Sequence, residues 1–471
     1  MYFLTVEFYI FLLLLVCFYY IVPASYRWYV LLAGSICMYL RLSPKMCWLL
    51  FLTIFISYGA GILIFKKQNA AAKIVFILAV VQAALPLLIL KNLNPGRNIP
   101  WLIPVGISFY TLQIISYLAD IYHGKIEKLP GFFQYTLYIL FFPQIVQGPI
   151  PRYGQLGGQL YQGHSFSEKG ITKAIHLIIW GFFLKFMIAD KSAVFVNEVF
   201  DHYRKYAGTF ILLAGILYSI QLYADFLACV CIAKGAAGLF GIDLADNFNH
   251  PYMAGTIKDF WRRWHITLST WLRDYIYIPL GGNRKGRLRK YINLLLTFAV
   301  SGVWHGTGYR YLFWGLMHGC YQIAGEITYP ARKIVFNRLK MPEKCLFRKI
   351  IQTACTLFWV MLAWIIFRAD SLSIGIAMIK SMFQVYNPWV VFNGALLQTG
   401  VDRQEWAVLL LSVLLLVKVS ICQKKMCIRD WILEQHLLFR WLIYIGAVIT
   451  IFIFGTYGYG FYAQDFIYGG F

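Results

Sequence analysis

Negative charge is scarce in this chain. Only 20 of its 471 residues are Asp or Glu, against 43 Lys and Arg, and charged residues together make up 13%. A soluble domain carries about 25%, so too few charges exist to cover a water-soluble surface of this size. Long polar stretches are missing as well. The least apolar ones, 149–173, 190–208, 241–290, 329–349 and 368–405, are too short for a core of their own. No repeat of fixed period and no low-complexity tract is evident. The ten cysteines form no CxxC pair, and Cys229 with Cys231 makes only a C-x-C. A disulfide framework and a structural zinc site are therefore not expected, and no metal ligands are assigned. The chain also lacks GxSxG, HExxH and GxxxxGK[ST], the residues that nucleophile-elbow, zincin and P-loop chemistry require.

What the chain has in abundance is apolar length. Hydrophobic residues make up 60% and the mean hydropathy is +0.63. A helix needs about 20 apolar residues to cross the hydrocarbon layer. Runs at 4–23, 46–65, 74–90, 174–189, 209–228, 309–325, 350–367, 406–421 and 441–456 approach or reach that length. Shorter or Pro/Gly-broken runs lie at 28–40, 101–119, 132–148 and 290–304. The expectation is an all-α polytopic membrane protein of about a dozen transmembrane and re-entrant helices, one membrane-embedded domain over 1–471. The first run is read as a span, since no Lys or Arg precedes Arg27. A formal charge of +23 suits basic loops held on the cytoplasmic face. The clusters are "KKQNAAAK" (66–73), "GGNRKGRLRK" (281–290) and "QKKMCIRD" (423–430), with membrane lipid head groups as expected neighbours and nucleic acid not.

Several segments break the pattern of a lipid-facing helix. "NIPWLIPVGISFYTLQIISYLAD" (98–120) opens with two prolines, and "FFPQIVQGPIPRYGQL" (141–156) holds three prolines and three glutamines. Such backbone survives at membrane depth only when buried in protein or lining a wet cavity. In "IKDFWRRWHITLSTWLRDYIYIPLGG" (257–282), Phe260, Trp264, Leu268, Trp271 and Tyr275 follow helical spacing. This predicts one amphipathic helix at the interface with His265 on the flank of its apolar face, and Asp259 paired with Arg263 one turn on.

Nine histidines are present, and His176, His265, His305 and His318 lie in or beside apolar runs. Polar side chains inside a membrane mark functional paths. His305, in "SGVWHG", is surrounded by Ser301, Gly302, Gly306, Thr307 and Gly308, small residues that leave room for close approach. His318, in "WGLMHG", lacks the flanking hydroxyls, and His176 reads as structural. A neutral imidazole with a pKa near 6.5 can take a proton from a hydroxyl that attacks an activated acyl group such as a thioester.

Together these stretches carry a resemblance. "DFWRRWHITLSTWLRDYIYIPLGGNRKG", "SGVWHG", "FWGLMHG", "PVGISFYTLQIISYLADIYHG" (104–124), "FFPQIVQGPI" (141–150) and "LFGIDLADNFNHPY" (239–252) resemble the membrane-bound O-acyltransferase (MBOAT) family. Within it they are most similar to the alginate-acetylation branch, and 257–319 is the most specific block. The resemblance implies a funnel of helices, an O-acyltransferase, and His305 and His265 as its essential and second histidines. It implies an acyl thioester co-substrate, acetyl-CoA or an acyl carrier, arriving from the cytoplasm, and no bound cofactor. It further implies a secreted or membrane-anchored acetyltransferase partner and an extracellular polysaccharide acceptor. Candidate donor-binding residues are Asn283, Arg284, Lys285, Trp304, Asp274 and His318. Asp225 is a further carboxylate to test. Teichoic-acid D-alanylation, by a branch that shares both histidines, is the alternative; a transporter or export scaffold is the alternative outside enzymes. Two stretches depart from the family pattern: "ADFLACVCIAKG" (224–235), with Cys229, Cys231 and Lys234, and the C-terminal "QDFIYGGF" (464–471).

Overall fold

The computed structural model describes residues 2–67, 69–93, 103–457 and 466. Among them all regular structure is helical, apart from one bridge between Phe248 and Trp264. Seven helices are long and apolar enough to cross a membrane: Cys47–Lys66, Ala70–Lys91, Glu168–Asp201, Thr209–Gly238, Leu346–Arg368, Arg403–Cys422 and Leu437–Phe454. These contain or overlap seven of the nine long runs, and the chain is a multi-pass membrane protein. The other two runs are helices of a different kind. Val6–Ile21 is 16 residues long, short for a crossing, and Tyr309–Ile327 carries too many polar groups to rank with the seven.

The described residues separate into two compact units, Met1–Ile178 with Cys229–Asp246, and Ile179–Ala228 with Asn247–Ile467. In the first, the run at 132–148 does not form one helix. Phe141, at φ −47° and ψ 109°, ends Phe132–Leu140, and Phe142–Ile145 follows as a single turn. Gln144, fully buried there, donates from Nε2 to Gln113 Oε1 at 3.2 Å. The Pro-rich backbone is thus buried in protein, one of the two environments in which it survives. Pro100 and nearly all of 464–471 lie outside the described residues. Lys234 pairs with Asp246 at 2.6 Å, while Cys229 and Cys231 are buried.

In the second unit the less apolar stretch at 190–208 is largely helix, because Glu168–Asp201 continues into it. The continuation passes through a π-turn, Leu184–Ala189, in which the Asp190 N–H donates to the Lys185 carbonyl five residues back. A wider turn brings side chains at i and i+5 nearly onto one face. Lys185 Nζ consequently reaches Asp190 Oδ1 at 2.9 Å, and Asp225 Oδ1 on Thr209–Gly238 at 2.8 Å. All three side chains are buried. A charge removed from water is tolerable only when paired in this way.

The two helices that carry the most polar motifs, Gly286–His305 and Tyr309–Ile327, form an antiparallel hairpin. Its contact is built from small residues. The Phe298 carbonyl lies against the Cα of Gly315, the Tyr311 carbonyl against that of Gly302, and Leu295 against that of Gly319. Small residues at such a contact let the two backbones approach closely and pack. Lys290 pairs with Glu326 at the open end. A Cβ at Gly315 must push the Phe298 backbone away, whereas a Cβ at Gly325 meets nothing within 4 Å. Gly315→Ala is therefore expected to destabilise by about 1–3 kcal/mol. Gly325→Ala should be neutral or stabilising by up to about 1 kcal/mol. Thermal unfolding of the two variants in one detergent checks the contrast.

Candidate active site

The helix predicted over 257–282 is broken at the histidine it carries. Ile257–Arg263, opened by the Thr256 hydroxyl accepting from the Asp259 N–H, ends at Trp264, whose backbone is extended. His265 then takes φ 44° and ψ 55°, and Ile266–Leu272 begins. An L-residue in this left-handed region costs roughly 1–2 kcal/mol, so something must hold it there. That support is the segment 247–249. Asn249 N donates to Arg263 O at 3.0 Å, Ile266 N donates to Asn247 O at 2.9 Å, and Thr267 Oγ1 donates to Asn247 Oδ1 at 2.6 Å. These bonds replace those a continuous helix would make. The expected Asp259–Arg263 pair is present at 2.9 Å.

The bend turns His265 inward. Its ring is fully buried and meets Phe226 edge-to-face at 4.8 Å and Trp304 at 6.1 Å. The stretch lies in none of the seven spanning helices. Burial pushes the imidazole pKa down to about 3, so the ring is neutral at physiological pH.

His305 is the last residue of Gly286–His305 and is also buried. Its ring contacts Trp304 at 4.7 Å, Trp314 at 5.0 Å and Phe367 at 5.6 Å. Trp304 thus touches both histidines. Trp314 lies between His305 and His318, 5.1 Å from the latter, and stacks on Trp364. The Trp261 Nε1–H donates to His318 Nδ1 at 3.2 Å, which places the neutral ring's proton on Nε2. Four polar atoms of this box, Ser301 Oγ, Trp314 Nε1, Trp364 Nε1 and His318 Nε2, are buried without a hydrogen-bond partner among the described residues. Leaving such an atom unpaired costs about 1–3 kcal/mol.

The structure therefore gathers His265, Trp304, His305 and His318, and leaves the other sequence candidates apart from them. Asn283, Arg284 and Lys285 are exposed on the basic loop. Asp274 pairs with its neighbour Arg273 at 2.8 Å, and Asp225 with Lys185. Of the two kinds of close approach that the glycines beside His305 allow, by backbone or by substrate, the structure shows the protein's own. Gly302 and Gly306 make room for the backbone and ring of Tyr311, so the space around the imidazole is filled by the hairpin itself. Trp261, Trp314, Asn247 and Phe226 belong to the site but were not singled out for it. All four sit inside stretches quoted above, which is the signal that marks them. Among the described residues, no three His, Cys, Asp or Glu side chains come together as a metal site requires. A surface cleft of 370 Å³ lined by Asn197, Glu198, Asp201 and His202 includes none of the clustered histidines.

The membrane-bound O-acyltransferase family profile matches residues 124–367, which encloses every residue of this box. The chain is 35% identical over 292 residues to the probable alginate O-acetylase AlgI of Pseudomonas putida, covering 61% of this chain and 56% of that protein. It is 35% identical over 308 residues to the peptidoglycan O-acetyltransferase of Helicobacter pylori, covering 60% and 57%. With the teichoic acid D-alanyltransferase of Bacillus subtilis it shares 30% identity over 272 residues, 54% of this chain and 68% of that one. The match thus spans little more than half the length of the two O-acetylating relatives.

The depressed pKa of His265 has a consequence for stability. Below pH 6.5 the unfolded chain binds a proton at this residue, while the folded chain resists until about pH 3. The contribution is fully present above pH 6.5 and is lost as the pH falls through that window. His265→Asn should remove it while keeping the fold, since Asn tolerates the left-handed backbone. Melting temperatures from pH 7 to pH 4 are expected to fall more steeply for the wild type than for His265→Asn.

Proposed function

The chain belongs to the membrane-bound O-acyltransferase family, and on that premise we propose that it moves an acetyl group from a cytoplasmic thioester donor toward an extracellular polysaccharide. The observation that carries this reading is the pairing of two buried histidines on one indole, Trp304, within the part of the chain that the family profile covers. His305 is the general base. As an acceptor hydroxyl attacks the thioester carbonyl, its Nε2 or Nδ1 lone pair takes the hydroxyl proton, and the same proton passes to the departing sulfur. A base of this kind contributes typically 10²–10⁴-fold. His265, neutral because buried, serves as a hydrogen-bonding group that orients donor or acceptor without introducing charge. Asn283, Arg284 and Lys285 on the exposed basic loop are suited to attract an anionic donor such as acetyl-CoA at the cytoplasmic face.

Acetyl is preferred to D-alanyl because relatives at 35% identity are O-acetylating enzymes by name, against 30% for the D-alanyltransferase. The acceptor is a surface polysaccharide, reached directly or through a secreted or membrane-anchored acetyltransferase partner. Membrane lipids surround the chain.

Proteoliposomes holding the full chain, supplied with labelled acetyl-CoA and an extract of cell-surface polysaccharide with its secreted proteins, test the proposal. Label should reach acceptor in the wild type, and His305→Ala should lower transfer at least about 100-fold with an unchanged melting temperature. Transfer of D-alanyl from its carrier protein but not of acetyl would assign the donor to the alternative. Passage of intact donor, or transfer indifferent to His305, would refute acyl-transfer chemistry here.

A further inference from the structure

Acyl transfer from a thioester needs more than a base. The carbonyl oxygen becomes an oxyanion when the hydroxyl adds, and the catalytic contribution of preorganised N–H donors aimed at that oxygen is usually large. The box around His305 holds unused donors. Trp314 Nε1–H and His318 Nε2–H are both buried, and neither has a hydrogen-bond partner among the described residues. Their rings are not placed at random. The Trp314 ring is centred 5.0 Å from that of His305 and 5.1 Å from that of His318, so one indole joins the base to the second imidazole. The His318 proton is held on Nε2 because Nδ1 already accepts from Trp261 at 3.2 Å.

Apart from the imidazoles of His265 and His305, the unpartnered atoms of the box among the described residues are three N–H groups, on Trp314, Trp364 and His318, and the Ser301 hydroxyl. An excess of buried donors destabilises the resting protein and is relieved only by an acceptor. A carbonyl oxygen gaining negative charge is the acceptor that gains most. Hydrophobic packing accounts for the rings but not for N–H groups, since phenylalanine packs equally well.

We propose that Trp314 Nε1–H and His318 Nε2–H are the oxyanion donors of the reaction assigned to His305. In the step they serve, the hydroxyl oxygen bonds to the thioester carbon and its proton goes to His305. The carbonyl electrons move onto oxygen between the two donors. Collapse then breaks the C–S bond, and the thiolate leaves with the proton from His305. This proposal rests on the acyl-transfer reading, so its test includes a measurement that does not require turnover.

Replacing Trp314 by 3-benzothienylalanine exchanges the indole N–H for sulfur and keeps the ring size. The variant is expected to melt with the wild type and to lose roughly 100-fold or more in kcat, with KM within about twofold. Binding of a phosphonate analogue of acetyl-CoA, anionic where the oxyanion forms, should weaken at least about tenfold, while binding of CoA alone should not change. His318→Phe should reproduce both effects. Unchanged kcat and unchanged analogue binding would overturn the assignment, as would a rise confined to KM. So would a variant that fails to fold, since that makes the N–H structural. If the wild type transfers nothing yet the analogue binding depends on the Trp314 N–H, the acyl-transfer reading fails and the anion-binding donors stand.

Discussion

The close approach of Gly286–His305 and Tyr309–Ile327 is the contact on which the site depends. Glycines at 302, 315 and 319 let one helix backbone touch the other, where side chains would hold them apart by several ångströms. Only at that distance do His305, at the end of the first helix, and Trp314 and His318, on the second, share one aromatic box. The same approach explains why Tyr311 fills the gap beside Gly306.

A second constraint acts at right angles to sequence order. Trp264 and His265 leave the helical conformation because 247–249 bonds the Arg263 carbonyl and the Ile266 N–H on either side of them. Backbone groups removed from water must be paired, and the pairing is done by a segment that also presents Asn247 to Thr267. The left-handed His265 is therefore strained but over-determined, a combination that recurs at functional sites. Thr209–Gly238 completes the wall. Phe226 borders His265, and Asp225, the preceding residue, is tied to Lys185 through the π-turn. The buried charges of Asp225, Lys185 and Asp190 are paired with one another, and burial alone holds the His265 ring neutral.

Burial of the two histidines among tryptophans has a chemical meaning. A low-dielectric box strengthens each hydrogen bond formed inside it and raises the cost of each one left unmade. Donors without acceptors are tolerated in such a place only when their energy is recovered in another state. In the reaction we propose, a carbonyl oxygen that gains charge as the bond changes offers that state.

Much was legible in the residues alone. Apolar run lengths located seven spanning helices, and "SGVWHG", "FWGLMHG" and the 257–286 block pointed to the histidines that the structure groups together. Local chemistry sufficed there, because helix length and residue type are properties of a short stretch. Periodicity was blind to the break at His265, since the aromatic spacing of 257–277 is compatible with an unbroken helix and the competing hydrogen bonds come from a segment over a dozen residues upstream. The π-turn at 184–189 was hidden for a like reason: its ion partner Asp225 is 40 residues away. The glycines around His305 signal close approach, and at Gly302 and Gly306 the group that approaches is the neighbouring helix. Composition tells that space has been left beside a residue. Which group enters that space depends on how distant segments pack.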